Sequence, residues 1–233
     1  MIAHGFLDPL VPIAGVIFQV VELDRLGYRY RFELYPEEDH LGYAVKDAFA
    51  SPAAHMGTGL RQGDPGYITF AWYPALRRDD LGIGPRQIWW IADLDGRDVA
   101  EGQLAEVNAR SLARPDPVVT TDFGGSLVIG DHFIPGFAAE QKWVVTAAPP
   151  RQPELGLRLR NTAHLSIDVR RARFLPGEAG DVQVATDGPA GVLLRNLAPA
   201  TPVLLDNAAA GASASDGTIE VSVPKGRHDV HFG

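Results

Sequence analysis

The sequence predicts an α+β protein that is mostly β, and three observations carry that expectation. Apolar side chains recur at helical spacing over residues 13–26, aromatic and charged residues alternate over 28–34, and many short β-runs follow residue 66. A length of 233 residues allows one large domain or two small ones, and turn-forming Gly57-Thr58-Gly59 and Gly63-Asp64-Pro65-Gly66 mark the change of pattern. The expected domains are therefore 1–57 and 66–233.

Met1-Ile2-Ala3 reads as the tail of a strand. Ile13, Val16, Ile17, Val20, Leu23 and Leu26 then form one helical stripe; Pro12 suits a first turn and Gly27 a left-handed cap. Tyr28 to Leu34 reads as a strand, Tyr35 to His40 as a loop, and a second helix should run to about Phe49. Beyond residue 66, β-runs are expected at 67–73, 87–93, 103–109, 118–122, 126–129, 142–146, 157–160, 165–170, 182–185, 192–197, 203–205, 218–223 and 229–232. That density of short strands suggests an antiparallel β-sandwich or distorted barrel. The apolar phase slips after Val169 and resumes at Ala172 and Phe174, predicting a bulge near Arg170 and Arg171. Ala208 to Ser215 reads as a loop.

With 21 basic and 29 acidic residues the net charge is −8, which argues against nucleic acid or an anionic membrane surface as the partner. Zero cysteines excludes disulfides, thiolate nucleophiles and cysteine-based metal sites. The longest apolar stretch, Leu10 to Val21, is too short to span a bilayer, and the N-terminus lacks a basic start and a cleavage site. A soluble protein is expected, of open compartment, and a secreted or periplasmic location fits a longer parent.

Residues 1–55 carry the specific signal. His4-Gly5-Phe6-Leu7-Asp8-Pro9-Leu10-Val11-Pro12, a helix closing at Leu26-Gly27-Tyr28, and Glu33-Leu34-Tyr35-Pro36-Glu37-Glu38-Asp39-His40 together resemble the last two βα units of the α/β-hydrolase fold. Within that fold the string is similar to the prolyl-oligopeptidase group of serine peptidases and esterases, where an Asp lies in a Gly-x-x-Asp-x-x-Val-Pro context and a His follows the final strand. The resemblance implies Asp8 as the acid that orients the base and His40 as the general base. An imidazole must take the proton of a serine hydroxyl, and a carboxylate must fix the imidazole tautomer. In this fold the order is Ser, Asp, His, with Ser in a Gly-x-Ser-x-Gly elbow. Residues 1–7 hold no serine; all seven serines follow His40, and Gly124-Gly125-Ser126-Leu127-Val128 fails at its last position.

The expectation is thus the C-terminal portion of a serine hydrolase, acting on small ester, lactone or peptide substrates, with the nucleophile and the oxyanion hole upstream of Met1. Two alternatives stand beside it: a non-catalytic β-sandwich binding module, and an unconventional hydrolase in which His40 activates water or recruits a serine such as Ser126. In the parent fold the first strand has two neighbours, so its bare edge predicts either homo-oligomers formed through that edge or pairing with a strand of the β-rich half.

Other clusters admit blander readings. Asp93, Asp95 and Asp98 around Gly96 could bend a calcium loop, but Leu104 replaces the expected acid, and a hairpin turn between the β-runs at 87–93 and 103–109 explains the same residues. His228 and His231 sit three apart on a strand and face opposite sides. Asp131-His132 reads as a loop pair. Of Trp72, Trp89, Trp90 and Trp143, core packing is the default over a sugar-stacking platform. Residues 66–233 loosely resemble, by pattern only, the tail of some bacterial secreted or periplasmic hydrolases of this group.

Overall fold

A computed structural model describes residues 1–42, 48–57, 63–84, 86–129 and 133–233. They fall into two compact units, Met1–Arg61 with Pro117–Ala147, and Gln62–Asp116 with Ala148–Gly233. Most of the described secondary structure is strand, in three sheets.

In the first unit, β1 (Ile2–Gly5), α1 (Ile13–Arg25) and β2 (Tyr30–Tyr35) make a strand–helix–strand unit whose parallel strands set Ile2 opposite Phe32 and His4 opposite Leu34. The predicted stripe explains the packing: Ile13, Val16, Val20 and Leu23 close over Ile2, Tyr30, Phe32 and Leu34. Gly27, at φ 71°, ends the helix by letting its own N–H reach Asp24 O and that of Tyr28 reach Leu23 O. That is the paired closure a left-handed residue permits. Pro12 stands at the N-cap. The helix expected to end near Phe49 falls largely on residues 43–47, outside the described residues. Phe49 occupies a turn with φ 67°, and α2 (Ala50–Gly57) begins after it.

The boundary near residue 60 does not assign everything after it to the second unit. β7 (Val118–Ile129) and β8 (Pro135–Ala147) form a long antiparallel hairpin, and β8 pairs with β2 to give the order β1-β2-β8-β7. The two runs expected at 118–122 and 126–129 are one strand passing through Gly124 and Gly125. A strand of the β-rich half therefore joins this sheet, but on β2 and not on the edge of β1, where the sequence predicts such pairing. Among the described residues, β1 has β2 as its one strand neighbour.

The second unit is a sandwich of mixed, not purely antiparallel, sheets. One contains, in spatial order, β14 (Ala208–Ala212), β13 (Pro202–Leu205), β16 (Gly226–Phe232), β11 (Gly180–Thr186), β9 (Glu154–Arg160), β6 (Ala105–Ser111) and β3 (Tyr67–Trp72). The other contains β15 (Ile219–Val223), β12 (Ala190–Arg195), β10 (Thr162–Asp168), β5 (Ile91–Gly96) and β4 (Gln87–Ile88). Between β9 and β12 the chain alternates sheets, so next-but-one strands lie side by side and parallel: β9 with β11, β10 with β12. Alternation along each strand supplies the core, Val107, Leu157, Val184 and Val230 from one sheet meeting Leu94, Ile167, Val192 and Val221 from the other.

Three local expectations are corrected. β5 and β6 lie in different sheets, so no hairpin joins them. The bulges of β10 fall near His164, not at Arg170 and Arg171. The strand has already ended at Asp168, whose Oδ1 accepts the N–H groups of Arg170 (3.1 Å) and Arg171 (3.0 Å) and turns the chain. The loop expected at 208–215 contains β14, held by β13; an exposed run of Ala and Gly has no apolar alternation to announce it. No helix among the described residues is long and apolar enough to cross a membrane.

Candidate functional site

Asp8 and His40 come together in the first unit. Both lie just past the C-terminal ends of the parallel strands, Asp8 in the loop after β1 and His40 in the loop after β2. The loops are tied by their backbones: Phe6 N–H donates to Tyr35 O at 2.9 Å and Leu7 N–H to Glu38 O at 3.0 Å. Gly5 makes that approach possible. A Cβ there would overlap the carbonyl oxygens of Glu38 and Asp39, which gives the Gly of the motif a physical reason.

The Asp8 carboxylate is fully engaged. Its Oδ1 accepts the N–H groups of Leu10 (2.8 Å) and Val11 (2.9 Å), and its Oδ2 lies 2.8 Å from His40 Nδ1. The side chain of Asp8 is only 5% exposed, whereas that of His40 is 48% exposed. Burial pushes the carboxyl upward. The Val11 N–H, the His40 ring and the Leu10 N–H outweigh it, so Asp8 is held below the ordinary carboxylate value. An ionised carboxylate can only accept, so Nδ1 carries the proton and Nε2 presents its lone pair. Among the described residues nothing hydrogen-bonds Nε2.

His4 is the residue that sequence reasoning missed. It was visible only as part of the matching string, although its spacing to Asp8 and its place on the helix-facing side of β1 were readable signals. Its side chain is 7% exposed, its Nε2 lies 3.9 Å from Asp8 Oδ2, and neither ring nitrogen has a hydrogen-bond partner. His4, Asp8, Val11, His40, Leu41 and Phe49 line a cavity of about 450 Å³. The chemistry available there is proton transfer by an oriented imidazole beside an apolar wall.

Ser126, the serine of the first unit named above as a recruit, does not complete it. Ser126 lies on β7, where the register Ala3, Glu33, Ala138, Ser126 places it three strands from β1, about 14 Å away at ordinary strand spacing. The calcium candidates also disperse: Asp93 pairs with Arg195, Asp95 with Arg77 at 3.1 Å, and Asp98 accepts the Ala100 N–H at 2.9 Å. Among the described residues no group of three or more His, Cys, Asp and Glu is placed to hold a metal. His228 and His231 bind separate carboxylates, Asp206 (2.7 Å) and Asp181 (2.8 Å). Trp90 is buried and donates to Pro65 O, Trp72 is buried and stacks on Phe70, and Trp89 packs partly buried against the same core, while Trp143 in the first unit donates to Gly27 O. Asp131-His132 lies outside the described residues. No protein-family model and no curated protein matches the chain.

Proposed function

We propose that the chain is the acid–base half of a serine hydrolase of the α/β-hydrolase type, similar to the prolyl-oligopeptidase group. Asp8 holds His40 in the Nδ1–H tautomer, and His40 Nε2 takes the proton of a serine hydroxyl contributed by a partner segment. The acyl group of an ester, lactone or peptide is transferred to that oxygen as Nε2 gives its proton to the departing alcohol or amine; water deprotonated at the regenerated nitrogen then attacks the acyl-enzyme, releasing the acid and returning the proton to the serine oxygen. The observation that carries the reading is the 2.8 Å contact between His40 Nδ1 and a buried, otherwise saturated Asp8, from loops at the same ends of two parallel strands. Carboxyl ends of parallel strands are where such sheets place their chemistry. The unpaired side of β1 is where a strand bringing the hydroxyl would add.

A second reading has one observation in its favour: the half-exposed His40 side chain lines the cavity and its Nε2 has no hydrogen-bond partner among the described residues, so His40 could deprotonate water without any serine. One assay separates the two. The purified chain is given p-nitrophenyl acetate, with and without prior fluorophosphonate treatment. The proposal expects the chain alone to give no hydrolysis above buffer and no fluorophosphonate labelling, whereas the second reading expects slow hydrolysis that fluorophosphonate leaves intact and that falls at least about tenfold in His40→Ala and Asp8→Asn. Hydrolysis indifferent to both substitutions overturns a role for the pair. Fluorophosphonate labelling of one of the chain's own serines, abolished by His40→Ala, overturns the need for a partner hydroxyl.

A further inference from the structure

The outward face of the seven-stranded sheet carries a feature unconnected with Asp8 and His40. Strand register places side chains of that face in cross-strand rows. One row reads Tyr67, Arg110, Gly156, Gln183 and Asp229; the next reads Thr69, Asn108, Arg158, Ala185 and Arg227. Gly156 and Ala185 leave the middle low, and two adjoining depressions of about 530 and 720 Å³ open over them. Arg158 and Arg227 flank Ala185 from the two neighbouring strands, about 10 Å apart at the backbone. Arg110 stands beside Gly156 in the adjoining row.

These three guanidinium groups are exposed, and none has an ion pair or hydrogen bond among the described residues. That is unusual company in a chain of net charge −8, where acids outnumber bases. Four other arginines of the same unit are neutralised, Arg160 by Glu106, Arg151 by Glu178, Arg195 by Asp93 and Arg97 by Asp187, while the other arginines without an ion pair among the described residues, Arg114, Arg170 and Arg173, lie outside these strands. Of the acids on this face, Glu106 is taken by Arg160 and Asp181 by His231; Asp229 at one margin and Glu154, which does not line the depressions, carry no ion pair among the described residues. Asn108 is oriented as well. Its Oδ1 accepts from Thr69 Oγ1 at 2.9 Å and Tyr67 Oη at 3.3 Å, and its amide N–H groups have no partner among the described residues.

The groove is therefore rich in donors and poor in acceptors, and its ligand must be the reverse. Guanidinium forks match carboxylates bidentately, while the Asn108 and Gln183 amides match hydroxyls. A dense polyphosphate is disfavoured, because three cations on an acidic protein cannot offset a charge every few ångströms. We propose that this face binds an acidic oligosaccharide, an extended chain of hydroxyl-bearing rings with carboxylates spaced to meet Arg158 and Arg227, with Arg110 as a third contact.

The test is calorimetric titration of the full chain with oligogalacturonate, with a neutral oligosaccharide of the same length, and with inorganic phosphate. The expected result is binding of oligogalacturonate that weakens at high salt and falls about tenfold or more in Arg158→Gln and in Arg227→Gln. Both positions are exposed, so the variants should melt as the parent does. Ala185→Glu, which puts an acid on the groove floor, should abolish binding. The proposal is overturned if oligogalacturonate does not bind, if the neutral oligosaccharide binds as tightly, if phosphate competes at equal concentration, or if the arginine variants bind unchanged. None of these outcomes touches His40, so this site stands or falls independently of the hydrolase reading.

Discussion

The two units solve the burial problem differently. The second gathers 28 buried apolar residues, from Ile68 to Phe232, into a single core between two sheets. In the first, the cluster under α1 is built on three, Val20, Tyr30 and Phe32. The first unit also leaves large side chains in water, among them Phe18 at 75% and Leu127 at 74% exposure. The candidate acid–base pair belongs to that thinly packed unit, whereas the arginine groove sits on the well-packed one. A rigid sandwich can present a fixed row of polar side chains without further support.

The comparison is broken most sharply by unequal responses to core deletion. Ile167→Ala removes a fully buried side chain from the sandwich and should cost about 3 kcal/mol, against about 1 kcal/mol for Val20→Ala under α1. Denaturant unfolding can follow the units separately. Trp90 reports the second unit and Trp143 the first, so Trp143→Phe isolates the former. Equal losses, or coincident transitions for the two probes in both variants, would show that the units do not differ in this way.

Gly5→Ala is expected to have a smaller effect, confined to the first unit. The added methyl must push the Glu38–Asp39 carbonyls away, at about 1–3 kcal/mol, and with them the loop that carries His40. The proton shared between His40 Nδ1 and Asp8 should vanish from the downfield NMR spectrum while the sandwich melts unchanged. Retention of that resonance would mean the loops can part without disturbing the pair.

The smallest effect concerns a pair on the sandwich made of a mostly buried His228 and an exposed Asp206. The Asp206 carboxylate beside it raises the pKa of His228, and the His228 ring lowers that of Asp206. A raised histidine gives stability that is complete below the unfolded value near 6.5 and lost as pH rises through the folded one; a lowered aspartate gives stability complete above about 3.9 and lost as pH falls. The pair should help most between about pH 4 and 6.5. Asp206→Asn should return the His228 titration, read by NMR, toward the ordinary histidine value. An unchanged titration would assign the shift to something else.

Much of the pattern was local and hence legible. Helix α1 needs only its apolar stripe and Gly27, and most strands of the sandwich declare themselves by alternation, as β3 and β11 do. Asp8 and His40 were found because residue types, order and spacing agree with a known chemistry. His4 escaped because its burial depends on what closes over β1. The arginine groove escaped because Arg110, Arg158 and Arg227 are scattered over more than a hundred positions and meet only through strand register. β14 escaped because its Ala-Gly run has no periodicity to read.

By itself the sequence determined the helix, most of the β-runs, the excess of negative charge and the pair of residues suited to proton transfer, all set by composition and by spacing within a few residues. Tertiary structure alone decided that the hairpin of β7 and β8 returns to β2, that β9 and β11 run parallel, and that three arginines without counter-ions share one face. Those outcomes depend on which backbone ladders pair across long stretches of chain, and backbone hydrogen bonds, being chemically alike for nearly every residue, leave no mark in the sequence.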